Sequence, residues 1–150
     1  MQVGRTILIA AALVAALAWP AAATAGVSCH TINAKGSGHE SNFQTTADIT
    51  GGGLLHGTTE ASFTPTGLSG TTLSFTGTIT FFVNGGTLTA TLTGTFDVTT
   101  GAFEATTTSI SGTGKLAGAT GTLTPKGVED LATGDFTETI TGEICVDLSP

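Results

Sequence analysis

No tyrosine occurs in the 150 residues, and beyond Ala25 there is no arginine, tryptophan or methionine either. The missing cations exclude the most. Nucleic-acid binding needs clustered Lys and Arg to neutralise phosphates, and single strands also need aromatic platforms to stack on. Past residue 25, three lysines stand against eleven acidic residues, a balance of −8, so no nucleic-acid partner is expected. The same balance argues against docking on anionic lipid and for a freely diffusing molecule. Long hydrophobic runs are scarce too. The one present, residues 7–17, falls short of the roughly 20 residues a spanning helix needs and is followed by Trp19-Pro20. With Arg5 before it and Ala23-Thr24-Ala25 after it, the run reads as a cleavable export signal. Residues 1–25 are therefore assigned to a signal peptide and 26–150 to a single domain. The expected product is secreted, extracellular or periplasmic, with no stable membrane insertion.

Cysteine is equally sparse, with Cys29 and Cys145 at the two ends of the exported part. In an oxidising compartment an even pair is read first as a disulfide. Metal ligation would need third and fourth ligands at the usual close spacings, and none is found. His30, His39 and His56 do not converge by strand parity: His30 points inward, His56 points outward four residues before Glu60, and His39 falls in a Gly-rich turn. Neither a metal site nor a cofactor is expected.

Glycine and threonine are plentiful, and beneath them runs a period of two. Leu73, Phe75, Gly77, Ile79, Phe81 and Val83 alternate with Thr and Ser, and Leu88, Ala90, Leu92, Gly94, Phe96 and Val98 repeat the pattern. This is strand periodicity with one face buried and one wet. Asn84-Gly85 between the two segments supplies the positive φ angles of a tight hairpin. Turn residues elsewhere divide the chain into strands near 28–34, 41–50, 54–63, 71–83, 86–98, 102–111, 119–128 and 134–147, with no segment of helical period.

Eight short strands suggest an all-β antiparallel, up-and-down barrel or a sandwich. Gly77, Gly94 and Gly142 fall in mid-strand on the apolar face and favour closure, as bends at barrel corners; the alternative is that they make room for a facing Phe. Strand parity puts Cys29 outward beside Thr31 and Asn33, and Cys145 outward beside Thr141 and Glu143. A bridge between the first and last strands would pin the seam of a closed barrel.

The segment Gly112-Thr113-Gly114-Lys115-Leu116-Ala117-Gly118-Ala119-Thr120-Gly121, followed by Gly127-Val128-Glu129-Asp130 and Ile140-Thr141-Gly142-Glu143-Ile144-Cys145, resembles the allene oxide cyclase and dirigent barrel superfamily, in particular its small exported bacterial members. The resemblance is strong over 94–145 and thinner before it. It implies an eight-stranded barrel with an apolar interior able to hold a small hydrophobic molecule, with Leu116 and Ala119 plugging one end. Plant dirigent proteins pair buried carboxylates with arginine, which this chain lacks past residue 25, so no catalytic residue transfers.

The inward residues Phe75, Ile79, Phe81, Leu92, Phe96, Phe136 and Ile140 are the candidate ligand contacts. Glu138 is the one candidate for chemistry. It sits inward between Phe136 and Ile140, where desolvation raises a carboxyl pKa toward the range of a general acid or base; the alternative is a rim carboxylate reaching water. Glu138 and His30 lie too far apart along the seam to act as a pair. Three functions compete: binding of a small hydrophobic molecule, a cyclase or isomerase of a reactive lipid or polyketide intermediate, and a structural or surface role for the outward threonines.

Overall fold

The computed structural model describes residues 26–148; the signal-peptide assignment falls on residues 1–25, outside them. Eight strands, β1 (Ser28–Ser41), β2 (Gln44–Gly51), β3 (Gly57–Ser69), β4 (Thr72–Val83), β5 (Gly86–Asp97), β6 (Ala102–Gly112), β7 (Thr120–Glu129) and β8 (Asp135–Val146), form a closed barrel in chain order. Every neighbouring pair is antiparallel, the closing pair β1–β8 included. At that seam Cys29 and Cys145 face each other in register and are joined by a disulfide.

Threonine alternation writes the barrel wall. In β4 and β5 the rungs Phe75–Gly94, Gly77–Leu92, Ile79–Ala90 and Phe81–Leu88 face inward, while Thr76–Thr93, Thr78–Thr91 and Thr80–Thr89 face out. β-branched Thr suits the exposed pleat of such a wall. Two bulges break the alternation: in β3 Pro65 and Gly67 pair with adjacent residues of β4, leaving Thr66 extra, and in β6 Thr107 and Ser109 pair with adjacent residues of β5, leaving Thr108 extra. The inward set of β6 thereby passes from Phe103, Ala105 and Thr107 to Ile110 and Gly112. Past Glu104–Lys126 the regular β6–β7 pairing stops, and the buried Thr107 hydroxyl accepts the Leu123 N–H at 2.9 Å in its place.

Several expectations are corrected. β1 does not stop at 34 but runs through Gly36 and Gly38, so His39 is a strand residue and not a turn residue. It pairs with Asp135 across the seam at 3.0 Å. The turn comes later, at Asn42 and Phe43, with φ of 55° and 61°. At Asn84-Gly85 only Gly85 has positive φ, 93°, so that hairpin is not the doubly left-handed turn expected. Residues 54–56 are not strand: Gly53–Leu55 is a 3-10 turn, and His56 caps it instead of sharing a strand face with Glu60. Gly114–Leu116 forms a second. Val98 lies beyond the end of β5 and is exposed. Gly77 and Gly94 make room for a facing ring, since a Cβ at either would strike Phe63 or Phe75. Gly142 does have positive φ, 148°, and runs against the backbone of Thr122 and Leu123.

The two ends of the barrel differ. At one, the 3-10 turns drop Leu55 and Leu116 onto Leu88, Leu123, Ile144 and Val146, each 2% exposed or less. The Gly112–Gly121 turn thus plugs the barrel through Leu116 and Ala119, with Gly114 and Gly118 at φ of 58° and 75°. At the other end only hairpin tips close the wall, and the interior is open.

Candidate functional site

The open end holds a cavity of about 190 Å³. Six of the eight phenylalanines line it: Phe43, Phe63, Phe75, Phe96, Phe103 and Phe136. The placement of three of them follows from cross-strand glycines. Phe63 pairs with Gly77, Phe75 with Gly94 and Phe103 with Gly127, and each ring lies where a Cβ on its partner would stand. The rings therefore lie against the wall and line the lumen without filling it. Two pairs meet edge to face, Phe63 with Phe75 at 5.3 Å and Phe103 with Phe136 at 6.0 Å between centroids, the geometry that ring quadrupoles favour.

Three carboxylates, Glu40 of β1, Glu129 of β7 and Glu138 of β8, also line the cavity, on the side where Phe43 and Phe136 stand beside them and opposite the other rings. Glu138 pairs in register with Gly36 and Gly127. A Cβ at Gly36 would stand 2.7 Å from both Cγ and Oε1 of Glu138, so that glycine is what admits the side chain to the interior. Burial pushes the Glu138 carboxyl up to about 7. Glu129 is also raised, first by burial and then by Glu40 nearby, with His39 opposing. Glu40 differs from both: its Oε1 accepts the Phe43 N–H at 2.6 Å, pinning the turn that hangs Phe43 over the mouth. The Phe63 N–H in turn donates to the Phe43 carbonyl at 2.8 Å. A phenylalanine in the left-handed region is strained, and here two hydrogen bonds hold it. Leu131, half-exposed on the β7–β8 loop, forms another part of the rim; Asp130 shapes that loop by accepting the Ala132 N–H at 2.9 Å.

The predicted contacts divide by depth. Phe75, Ile79, Phe96 and Phe136 line the cavity, whereas Phe81, Leu92 and Ile140, each 2% exposed or less, lie outside its lining. Glu138 is in the cavity wall. Phe43, Phe63, Phe103, Glu40 and Glu129 were missed, and the pairing of each ring with a glycine on the next strand is the signal that would have found Phe63 and Phe103. His30 stands opposite Ile144, six rungs from Glu138, and hydrogen-bonds with Ser28 at 2.9 Å. Among the described residues the one cluster of metal-type ligands is Cys29, Glu143 and Cys145, whose two sulfurs are spent in the disulfide. No described helix is long and apolar enough to cross a membrane.

In comparisons with known proteins, no family model matches the chain, and neither a curated protein nor a solved structure matches it, so the cavity's own geometry must carry the functional reading.

Proposed function

We propose that the protein is a secreted barrel that binds a small hydrophobic molecule in the open half of its interior. The observation that carries this reading is the aromatic lining held back against glycines, which leaves an apolar cavity of about 190 Å³ where side chains could have closed the lumen. An engineered apolar cavity of about 150 Å³ takes up benzene, so this one suits a single ring or a short chain, with longer molecules emerging through the mouth. Export is part of the proposal: it rests on the signal-like residues 1–25, and the Cys29–Cys145 disulfide is compatible with an oxidising compartment. Kinship with the allene oxide cyclase and dirigent barrels is likewise proposed, on the Gly112–Gly121 turn and the strand ending at Cys145.

Thermal unfolding with a panel of apolar aromatics, terpenoids and short-chain lipids tests binding. Ligand at a hundredfold excess over Kd should add about 2.7 kcal/mol of stability; a panel without any stabilising member refutes the reading.

A second reading has one observation in its favour. Glu138, pushed up to about 7 inside an apolar cavity, has the pKa of an efficient general acid or base at neutral pH. A cyclase or isomerase of a reactive lipid or polyketide intermediate would use it to move one proton. Turnover unchanged in Glu138→Gln would remove that role.

A further inference from the structure

We propose that the ligand of the open half is an apolar molecule carrying a protonated amine, and that the site rejects apolar carboxylates of the same size. The inference rests on the ligand-binding reading above and names its ligand class.

The lumen is divided by charge. Phe63, Phe75, Phe96 and Phe103, on β3 to β6, supply rings on one arc, while Glu40, Glu129 and Glu138, on β1, β7 and β8, supply carboxylates on the other, with Phe136 among them. Among the described residues, no Lys, Arg or His lines the cavity. The bases nearest in register all project outward. His39 is paired with Asp135 at 3.0 Å and Lys126 with Glu104 at 3.2 Å. Lys35 lies on the exposed face of β1. Among the described residues, none of the three lumenal glutamates is in an ion pair, and Glu129 and Glu138 also lack side-chain hydrogen bonds.

A carboxylate ligand would therefore bring a further negative charge into a partly desolvated site with no donor cation to meet it. An ammonium would meet both arcs at once, as counter-charge to the acids and as a cation over aromatic faces. Burial raises the proton affinity of Glu138, and burial together with Glu40 nearby raises that of Glu129, so both carboxylates gain from a cation brought into the lumen. Beyond the cavity, the balance of three lysines against eleven acids past residue 25 draws cations toward the molecule and repels anions.

Titration calorimetry at pH 8 with 2-phenylethylamine, 2-phenylethanol and 3-phenylpropionate separates charge from shape, because the three share a ring and nearly share a length. The amine should bind about tenfold or more tightly than the alcohol, the scale of a charge-assisted hydrogen bond, and the carboxylate should bind most weakly. Glu129→Gln/Glu138→Gln should erase the amine's advantage over the alcohol, both affinities being measured on that same variant, with a retained cooperative melt showing that it is folded. Equal amine and alcohol affinities, a carboxylate that binds as well as the amine, or an advantage that survives the double substitution would each overturn the cationic preference and leave an apolar binding site standing. No binding by any of the three, nor by longer apolar probes, would overturn both the preference and the reading beneath it.

Discussion

The plugged end and the open end of this barrel are built from the same strands with the same alternation, yet one is solid and the other hollow. At the plugged end the inward residues are mostly Leu, Ile and Val, with Phe81 packed among them, and two 3-10 turns fold Leu55 and Leu116 inward as lids. At the open end Phe is the commonest inward residue, and glycines on adjacent strands let Phe63, Phe75 and Phe103 lie back against the wall. Larger side chains thus leave more room than smaller ones, because what matters is where the ring is allowed to lie. A small antiparallel barrel can be filled by its own side chains or hold one ligand. This one is filled in one half and hollow in the other.

The largest effect expected bears on the frame that both halves share. Cys29→Ser/Cys145→Ser removes a cross-link spanning 116 residues of chain, and chain entropy puts the loss near 4.7 kcal/mol for a loop of that order. Urea denaturation at fixed temperature measures it; a loss below about 1 kcal/mol would mean that the β1–β8 ladder closes the barrel unaided.

Next comes a matched pair, one leucine from each end. Leu116→Ala empties a site 2% exposed and should cost about 3 kcal/mol. Leu131→Ala, on a residue 49% exposed, should stay within about 0.5 kcal/mol while weakening the binding of apolar probes. Similar losses at the two positions would erase the distinction between lid and rim.

The third effect is a pH dependence that belongs to the open end alone. The folded protein holds the Glu138 proton more tightly than the unfolded chain does, so stability is fullest below the ordinary 4.5, declines as pH rises toward about 7, and levels off beyond. The full decline is at most about 3 kcal/mol, and solvent entering by the mouth reduces it. Glu129 titrates in the same direction. Asp97, held near 2 by its hydrogen bonds to Thr99 and Thr100, acts in the opposite sense and only in acid, its contribution being lost as pH falls from 3.8 through about 2. Glu138→Gln should flatten the curve between pH 4.5 and 7 and raise the melting temperature at pH 8, leaving pH 4 unchanged. An unaltered curve would place the carboxyl in bulk water.

The plugged end was the more legible half. Alternation fixed the faces of β4 and β5, parity brought the cysteines to one seam, and the Gly112–Gly121 turn pointed to Leu116 and Ala119 as the plug. The open half was obscured by its glycines. Gly36 and Gly38 read as punctuation, because a glycine pair between polar residues ordinarily marks a turn. In the barrel they are strand residues: Gly36 makes space for Glu138, and Gly38 lets β1 approach Thr46 and Ala47. The true turn at Asn42-Phe43 carries no glycine, and Asn42 is its one turn-forming residue, a weaker mark than the glycine pair before it. Glu40 and Glu129 were hidden for a related reason, since which carboxylates share a lumen depends on the registers of β1, β7 and β8 and not on any spacing within one strand.

Pairing Ser28 with Val146 puts the start of β1 and the finish of β8 side by side at the plugged pole, while the cavity opens at the opposite one. A fluorophore, an affinity handle or a sensor chip attached at Leu148, just past β8, would sit at the pole opposite the mouth. Probes could then be presented to an immobilised protein with its entrance directed into solution, and any signal they gave would come from the lumen and not from the attachment.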